Sequence, residues 1–453
     1  MTAAGPQQET VAQAASATLR LAFPVIVNRV GMLLIATAST IMVGHAGERE
    51  LAYFALAFSP QVLMLVIGIG VMVGTVILVS QAVGAGRHEA CGAIWQTSLL
   101  LGLVVGLIYA LIMVAGEPLL LLLGQTPDMA AGGGRAMLMF APGMAPFLMF
   151  LATTLYLEGT GRARPGMVVT ILANLVNVGL GYVLIYGALG LPAMGAEGAN
   201  LATSVARWFM AVALIGWVVA SRVDRERYGI LRRATGYSAN LKRAVSLGVP
   251  LAVANGLESG SFAAMSTMAG WIGASQLAGY QILMNVNAIV FMLAIGMGTA
   301  TAVRCGQAVG RGDMAGLRRA GWVGVGLAAV LLLAIMAAAW AGGAQLVGLY
   351  SRDAAVLAVA SSALWLMCLL TPLDGMQGVL AAALRGTADT MVPMAIFAFA
   401  FLIVGIPLGY FLGWRWGGGV DGLYWALIVA CAIASSLLAW RFDHVCRRGV
   451  RIY

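Results

Sequence analysis

Apolar residues run along this chain in long blocks, separated by short stretches where Gly, Pro and charged residues gather. A helix needs about 20 mostly apolar residues to cross a hydrocarbon layer. By that measure the pattern predicts twelve spans: 20–44, 55–79, 93–115, 136–157, 165–188 and 198–220, then 246–270, 281–303, 319–341, 358–384, 393–413 and 421–441. None of these blocks alternates apolar and polar residues at strand length, which excludes a membrane β-barrel. The expectation is an all-α polytopic membrane protein. Composition narrows it further: 61% of the 453 residues are hydrophobic and 9% are charged. A soluble domain carries about 25% charge, so cytosolic, secreted and disordered classes fall away.

The few charges are distributed by sign and place. Lys and Arg number 26 against 17 acids, a net +9. Nineteen of the 26 lie after the even-numbered spans or in the C-terminal tail, while Arg49, Arg135, Arg352 and Arg415 lie on the opposite side. Arg20, Arg29 and Arg207 fall within spans. Excess basic charge marks the cytoplasmic face, so both termini are expected inside. The expected organisation is a cytoplasmic tail over 1–19, a six-helix bundle over 20–220, a basic cytoplasmic linker over 221–245, a second six-helix bundle over 246–441 and a cytoplasmic tail over 442–453. The linker carries Arg222, Arg225, Arg227, Arg232, Arg233, Lys242 and Arg243. The first residues, through about Thr18, contain no Lys or Arg and read as a polar tail with no cleaved signal peptide. Five Cys without a CxxC pair and three scattered His predict neither a disulfide framework nor a structural metal site.

The two halves repeat one another. Pro24 matches Pro250, Met42-Val43-Gly44 matches Met268-Ala269-Gly270, and Gln81-Ala82-Val83-Gly84-Ala85-Gly86 matches Gln307-Ala308-Val309-Gly310-Arg311-Gly312, all 226 residues apart. Leu157-Glu158-Gly159-Thr160 echoes Leu384-Arg385-Gly386-Thr387 at an offset of 227. Six helices per half is an even number, so both halves enter the membrane the same way round. The repeat is therefore parallel, an arrangement used by carriers with a central cleft and alternating access.

Two acids fall deep inside spans. Glu258 lies about 18 Å into the seventh and Asp374 about 16 Å into the tenth, counted from the cytoplasmic end at 1.5 Å per residue. Both depths are near the midplane, where ionisable groups line cavities and bind or relay ions. Such a pair can hold a proton between them or share a monovalent cation such as Na⁺. The bland reading, neutralisation by a neighbouring Arg, lacks an Arg in the central parts of the last six spans. Arg29, by contrast, is placed near the interface as a snorkelling anchor. Asn174 and Asn177 share a face of the fifth span, as do Gln281 and Asn285 in the eighth; each pair either lines a cleft or bonds across helices. Gly70/Gly74 and Gly102/Gly106 have the spacing of close helix contacts. Gly84-Ala85-Gly86 follows no strand and no GxxxxGK[ST] occurs, so nothing supports nucleotide-driven pumping. HExxH and GxSxG are also missing from the sequence, which argues against an enzyme. The 25 Met read first as packing and second as an adaptable ligand surface.

Pro24 with Thr40-Ile41-Met42-Val43-Gly44, Gln81-Ala82-Val83-Gly84, Glu158-Gly159-Thr160-Gly161, Asn174, Asn177 and Tyr182 come in an ordered series with Leu257-Glu258-Ser259, Gln281, Asn285, Asp374-Gly375-Met376-Gln377, Leu384–Thr390 and Pro407-Leu408-Gly409-Tyr410. This series, over about 20–441, resembles the multidrug and toxic compound extrusion (MATE) family, in its NorM-type branch. The resemblance implies a monomeric inner-membrane antiporter that exports small organic, often cationic compounds against inward Na⁺ or H⁺, with no other cofactor and no nucleic-acid or nucleotide partner. It also implies cation coupling at Glu258 and Asp374. Family members often carry Asp immediately before Thr-Ile-Met in the first span, where this chain has Ser39. Ser39 cannot hold charge, which moves the expected coupling to the C-terminal half. The runner-up is a lipid-linked saccharide flippase of the same wider exporter group. A channel ranks lower, because twofold repeats with a midplane site favour carriers.

Overall fold

The structure, a computed structural model, describes residues 10–232, 236–348, 350 and 353–449. Arg233, Arg352, Arg451 and the start of the expected N-terminal tail lie outside the described residues. Among the described residues all regular structure is helical. Twelve long helices follow one another: α1 Val11–Ala46, α2 Glu48–Gly84, α3 His88–Val114, α4 Pro127–Gly159, α5 Arg164–Tyr186, α6 Gly195–Ala220, α7 Tyr237–Ile272, α8 Ala274–Gly310, α9 Met314–Ala341, α10 Ala354–Gly386, α11 Met391–Arg415 and α12 Gly419–Arg448. Eleven are long and apolar enough to cross a membrane. The other, α7, is as long as α1 at 36 residues but carries Lys242, Arg243 and Glu258 among several Ser and Asn.

Hydropathy locates the apolar blocks, yet the helices outrun them. α1 begins at Val11 and not at 20, because helix propagates through the alanine-rich Val11–Leu19 without needing lipid. α4 starts at Pro127, capped by Thr126, and is interrupted by a 3₁₀ turn over Ala141–Gly143. Pro142 removes a backbone donor there. Ser204 of α6 donates to the carbonyls of Met139 and Phe140 at 2.8 and 3.2 Å, satisfying oxygens at the break. The repeated Gln-Ala-Val-Gly motif ends α2 and α8. Gly86 and Gly312 adopt left-handed conformations (φ 71° and 72°), and the next amides, of Arg87 and Asp313, donate back to Ala82 and Ala308. That geometry is a helix stop.

The chain forms two compact units whose limits fall inside helices. One is Val27–Ala252; the other joins the start of the chain, through Ile26, to Val253 onward. Both limits lie two residues past the repeated prolines Pro24 and Pro250. The reason is a pair of close backbone approaches. A Cβ on Gly70 would lie 2.5 Å from the Ala252 Cα, and one on Gly296 would strike Ile26. Gly70/Gly296 and Ile26/Ala252 are each 226 residues apart. Thus the first half of α7 seats on α2, helped by Gly74 against Ala244 and Gly248 against Val71. The first half of α1 seats on α8, where Arg304 donates to Ala14 O and to Thr18 Oγ1. Gly102 and Gly106 likewise give α3 close contact with α4 at Leu148 and Ala145.

The basic linker is fastened to the Val27–Ala252 unit. Tyr228 and Ile230 join a core cluster with Trp95 and Tyr156. Asp224, fully buried, accepts two bonds from Arg162 (2.5 and 2.8 Å) and one from Tyr156 Oη (2.5 Å). Burial pushes its carboxyl up, but the Arg162, Tyr156 and Ser221 hydrogen bonds outweigh that and hold it below its ordinary value. Its contribution to stability is therefore present above the unfolded carboxylate range and lost only as pH falls through the lowered value.

Arg29 is corrected by the structure. It does not snorkel to solvent: its Nη2 donates to both oxygens of Glu158 at 3.2 Å, and the two side chains are 12% and 0% exposed. The sheltered carboxylate of α4 holds the guanidinium of α1 inside the unit. Removing one partner leaves an uncompensated buried ion, so Arg29→Met should cost about 3–5 kcal/mol, whereas Arg29→Met with Glu158→Leu should cost much less. Melting of the purified variants checks this; equal losses would contradict a buried ion pair. Gly70→Val should lower the melting temperature by an amount corresponding to about 1–3 kcal/mol, from overpacking against Ala252. An unshifted melt would show that α7 does not seat there.

Candidate functional site

The two acids converge within the unit that contains most of the C-terminal half. α7 carries Glu258, and α10 carries Asp374 and Gln377, three residues apart and hence on one face. Gln377 joins the acids: its Nε2 donates to Glu258 Oε1 at 2.8 Å and to Asp374 Oδ1 at 2.9 Å. Its own Oε1 is buried without a partner. Thr371, one turn earlier on α10, donates to Asn287 Oδ1 of α8 at 2.6 Å. That occupies the Asn287 carbonyl and leaves its NH₂ free of that bond, on the helix beside Asp374. Cys431 Sγ of α12 completes the surroundings, 3.9 Å from Asp374 Oδ1.

Asp374 is 2% exposed and Glu258 partly buried. Among the described residues neither carboxylate is in an ion pair. Neutral amide donors alone stabilise two like charges incompletely in low dielectric. The arrangement is one in which a proton or a cation changes the local charge balance most. Carboxylate oxygens from two helices and an orphan amide oxygen suit a hard cation. They equally suit a proton shared between the carboxylates. Among the described residues no group of three or more His, Cys, Asp or Glu could hold a metal ion.

The other predicted site residues are elsewhere. Gln281 donates to Ser266 Oγ at 2.6 Å and Asn285 accepts from Tyr350 Oη at 3.1 Å, both toward exposed positions. Asn174 ties α5 to α1, donating to Gly31 O at 3.0 Å. Ser39 donates to Asn177 Oδ1 at 3.4 Å, and Asn177 Nδ2 donates to Thr203 Oγ1 of α6 at 3.2 Å. These three form a buried neutral chain. Gln377 was visible as the third residue after Asp374. Asn287, Thr371 and Cys431 carried no comparable signal.

One further charged group stands in the Val27–Ala252 unit. Arg207, 8% exposed, lies between the rings of Phe140 and Phe147, with guanidinium-to-centroid distances of 4.1 and 4.6 Å. Its described polar contact is Nη1 to Met144 Sδ at 3.6 Å, and it is in no ion pair among the described residues. Two desolvated cation–π contacts supply about 2 kcal/mol each, comparable to the several kcal/mol that burying an ion costs.

A model of the MatE family matches residues 24–183 and 250–411, covering the corresponding stretch of each repeat. The chain is 33% identical to a probable multidrug resistance protein NorM of Caulobacter vibrioides, over 94% of this chain and 90% of that protein. It is 32% identical to the multidrug resistance protein PmpM of Pseudomonas aeruginosa, over 96% and 92%. Among solved structures it superposes on the eukaryotic MATE transporter AtDTX14 with a TM-score of 0.85 at 19% identity, covering 97% of this chain and 98% of that one. A multidrug resistance MATE transporter in an outward-facing conformation gives 0.86 at 20%, covering 96% of each. The family model spans both repeats and the relatives match nearly end to end, so this chain belongs to the MatE family, in its NorM-type branch.

Proposed function

We propose that this chain is a secondary multidrug efflux antiporter, a transporter and not an enzyme, that moves small organic compounds out of the cell in exchange for an inward cation at Glu258 and Asp374. The relatives named for multidrug resistance support the activity. The observation that carries the coupling site is Gln377 bridging two interior carboxylates that are in no ion pair among the described residues. With the site empty, two like charges share one amide donor. With Na⁺ or H⁺ bound, the charge falls and α7 and α10 can close on it. A ligand shifts a conformational equilibrium only by its differential affinity for the two states, and this change of local charge is such a difference. Alternating access then follows from which state admits substrate.

The membrane is the bacterial inner membrane and the basic ends of the helices are cytoplasmic, placing both termini inside. The protein acts as a monomer, with neither nucleotide nor nucleic acid as partner. An interior whose coupling unit is acidic supports cationic drugs over lipid-linked saccharides.

In proteoliposomes, ethidium export driven by an imposed Na⁺ gradient or by a pH gradient identifies the coupling ion. Glu258→Gln and Asp374→Asn should each lower that ion-driven export by about 5- to 150-fold, the range of typical coupling energies. Gln377→Ala should weaken the coupling without abolishing it. Unchanged driven export in both acid variants would remove the carboxylates from the mechanism. Transport that requires a lipid-linked sugar would instead favour the flippase.

A further inference from the structure

The repeat gives α3 and α9 matching starts, His88 and Met314, 226 residues apart. In the Val27–Ala252 unit the opening turns of α3 are the seat of the linker. Gln96 Nε2 donates to Ile230 O and Arg232 O at 2.6 and 2.8 Å, Glu89 pairs with Arg232, and Gly92 leaves room for the carbonyl of Tyr228. The same offset carries Glu89, Gly92 and Gln96 onto Ala315, Arg318 and Trp322 of α9. Those three residues line a groove of about 510 Å³ in the other unit, to which Arg319, Val11 of α1 and Cys446 of α12 also contribute.

The two seats differ in sign. Glu89 meets a basic segment in one, whereas the groove on α9 is lined by two arginines. Arg318 and Arg447 share the carboxylate of Asp443, at 3.2 and 2.5 Å, which leaves that cluster a positive charge before Arg319 is counted. Its aromatic wall is fixed: Gly321 lets α9 close on Phe442 of α12, and the Phe442 ring meets Trp322 edge-on with centroids 6.2 Å apart. Beyond the groove α9 carries an exposed apolar face. At 100° per residue Trp322, Leu333 and Trp340 fall within about 20° of one another, with Arg318 about 40° aside, and all four are exposed. From Arg318 to Trp340 the helix rises about 33 Å, close to the thickness of a hydrocarbon core. A basic hollow thus stands at one end of a membrane-long apolar stripe, with Trp322 at the level of interfacial aromatic rings.

We propose that this groove holds the headgroup of an anionic phospholipid, its phosphate on Arg318 and Arg319 and an acyl chain along the exposed face of α9. Charge complementarity selects the occupant: basic pockets between helices at a membrane face take anionic headgroups, and a guanidinium fork matches phosphate oxygens. The apolar stripe favours a lipid over a free phosphate. Bound there, the lipid braces α9 against α1 and α12 as the linker braces α3. The inference rests on the chain's place in the membrane and not on its efflux.

The test is native mass spectrometry of the purified full-length protein in detergent, titrated with phosphatidylglycerol or with phosphatidylcholine of the same acyl chains. Wild type should bind one phosphatidylglycerol about tenfold more tightly than phosphatidylcholine. Arg318→Gln with Arg319→Gln should erase that preference, while Arg222→Gln with Arg225→Gln, which removes equal charge from the linker, should keep it. Trp322→Ala should weaken both lipids. Arg318→Lys with Arg319→Lys keeps the charge without the fork and should reduce the preference several-fold; it serves if the Gln pair fails to fold. Equal losses in the groove and linker variants would show diffuse attraction and overturn the proposal, as would a preference unchanged in both groove variants. Inorganic phosphate that raises the melting temperature as far as phosphatidylglycerol does would assign the groove to a free anion. A preference that emerges only when residues 450–453 are removed would assign it to the chain's own end. Either outcome overturns the proposal. Binding is read without transport, so this inference and the efflux reading can fail separately.

Discussion

A charge inside an apolar helix bundle must be cancelled, shared or put to use, because the surroundings offer no water to solvate it. The deep polar groups of this protein sort themselves by those three solutions. Arg29 and Glu158 cancel, each the counter-ion of the other across α1 and α4. Glu258 and Asp374 share, held by the two hydrogens of one amide. Arg207 does neither among the described residues and leans on two phenyl rings. At the membrane edge Arg162 and Asp224 add a cancelled pair that clamps the linker. The cancelled pairs make rigid units. The shared and unanswered charges are where occupancy can alter energy.

Duplication explains why the chemistry is unequal in the two units. The repeat supplied two copies of one scaffold, visible in paired helix stops at Gly86 and Gly312 and in paired approaches at Gly70 and Gly296. A parallel repeat does not require its copies to keep the same interior. Ser39, Asn177 and Thr203 form a neutral hydrogen-bonded chain in one, while acids occupy the other. A carrier needs only one coupling site if both units respond to it, which frees the second interior for a different sign of charge.

Hydropathy gave the number of helices and their order, since lipid contact is a property of consecutive residues. It marked an apolar block from 20 but not the helix start at Val11, because helix does not stop where lipid does. It could not show the break at Ala141–Gly143, which an apolar stretch conceals, although Pro142 stood in plain sight. Glu258 and Asp374 were legible because an acid in an apolar run is conspicuous on its own. Arg29 with Glu158 was not, because 129 residues separate the partners and Glu158 lies at the end of its helix. Asn287 and Cys431 escaped for a related reason: small polar side chains are common in membrane helices and acquire meaning only from what they touch.

The crossing of α1 and α7 between units bears on how the protein is made. The unit containing the C-terminal half includes residues synthesised first, and Ile26 awaits Gly296 for some 270 positions of chain growth. Neither half, cut at the linker, would hold its own complete unit; each would carry an opening helix segment whose seat is on the other fragment. Maturation in the membrane must therefore end with a late docking step, in which α8 receives a segment inserted long before it. Until that step the glycine faces of α2 and α8 stand open as grooves for backbone contact, and a second nascent copy could fill them. Assembly of this transporter is in that sense an intramolecular exchange, governed by the order in which helices leave the ribosome.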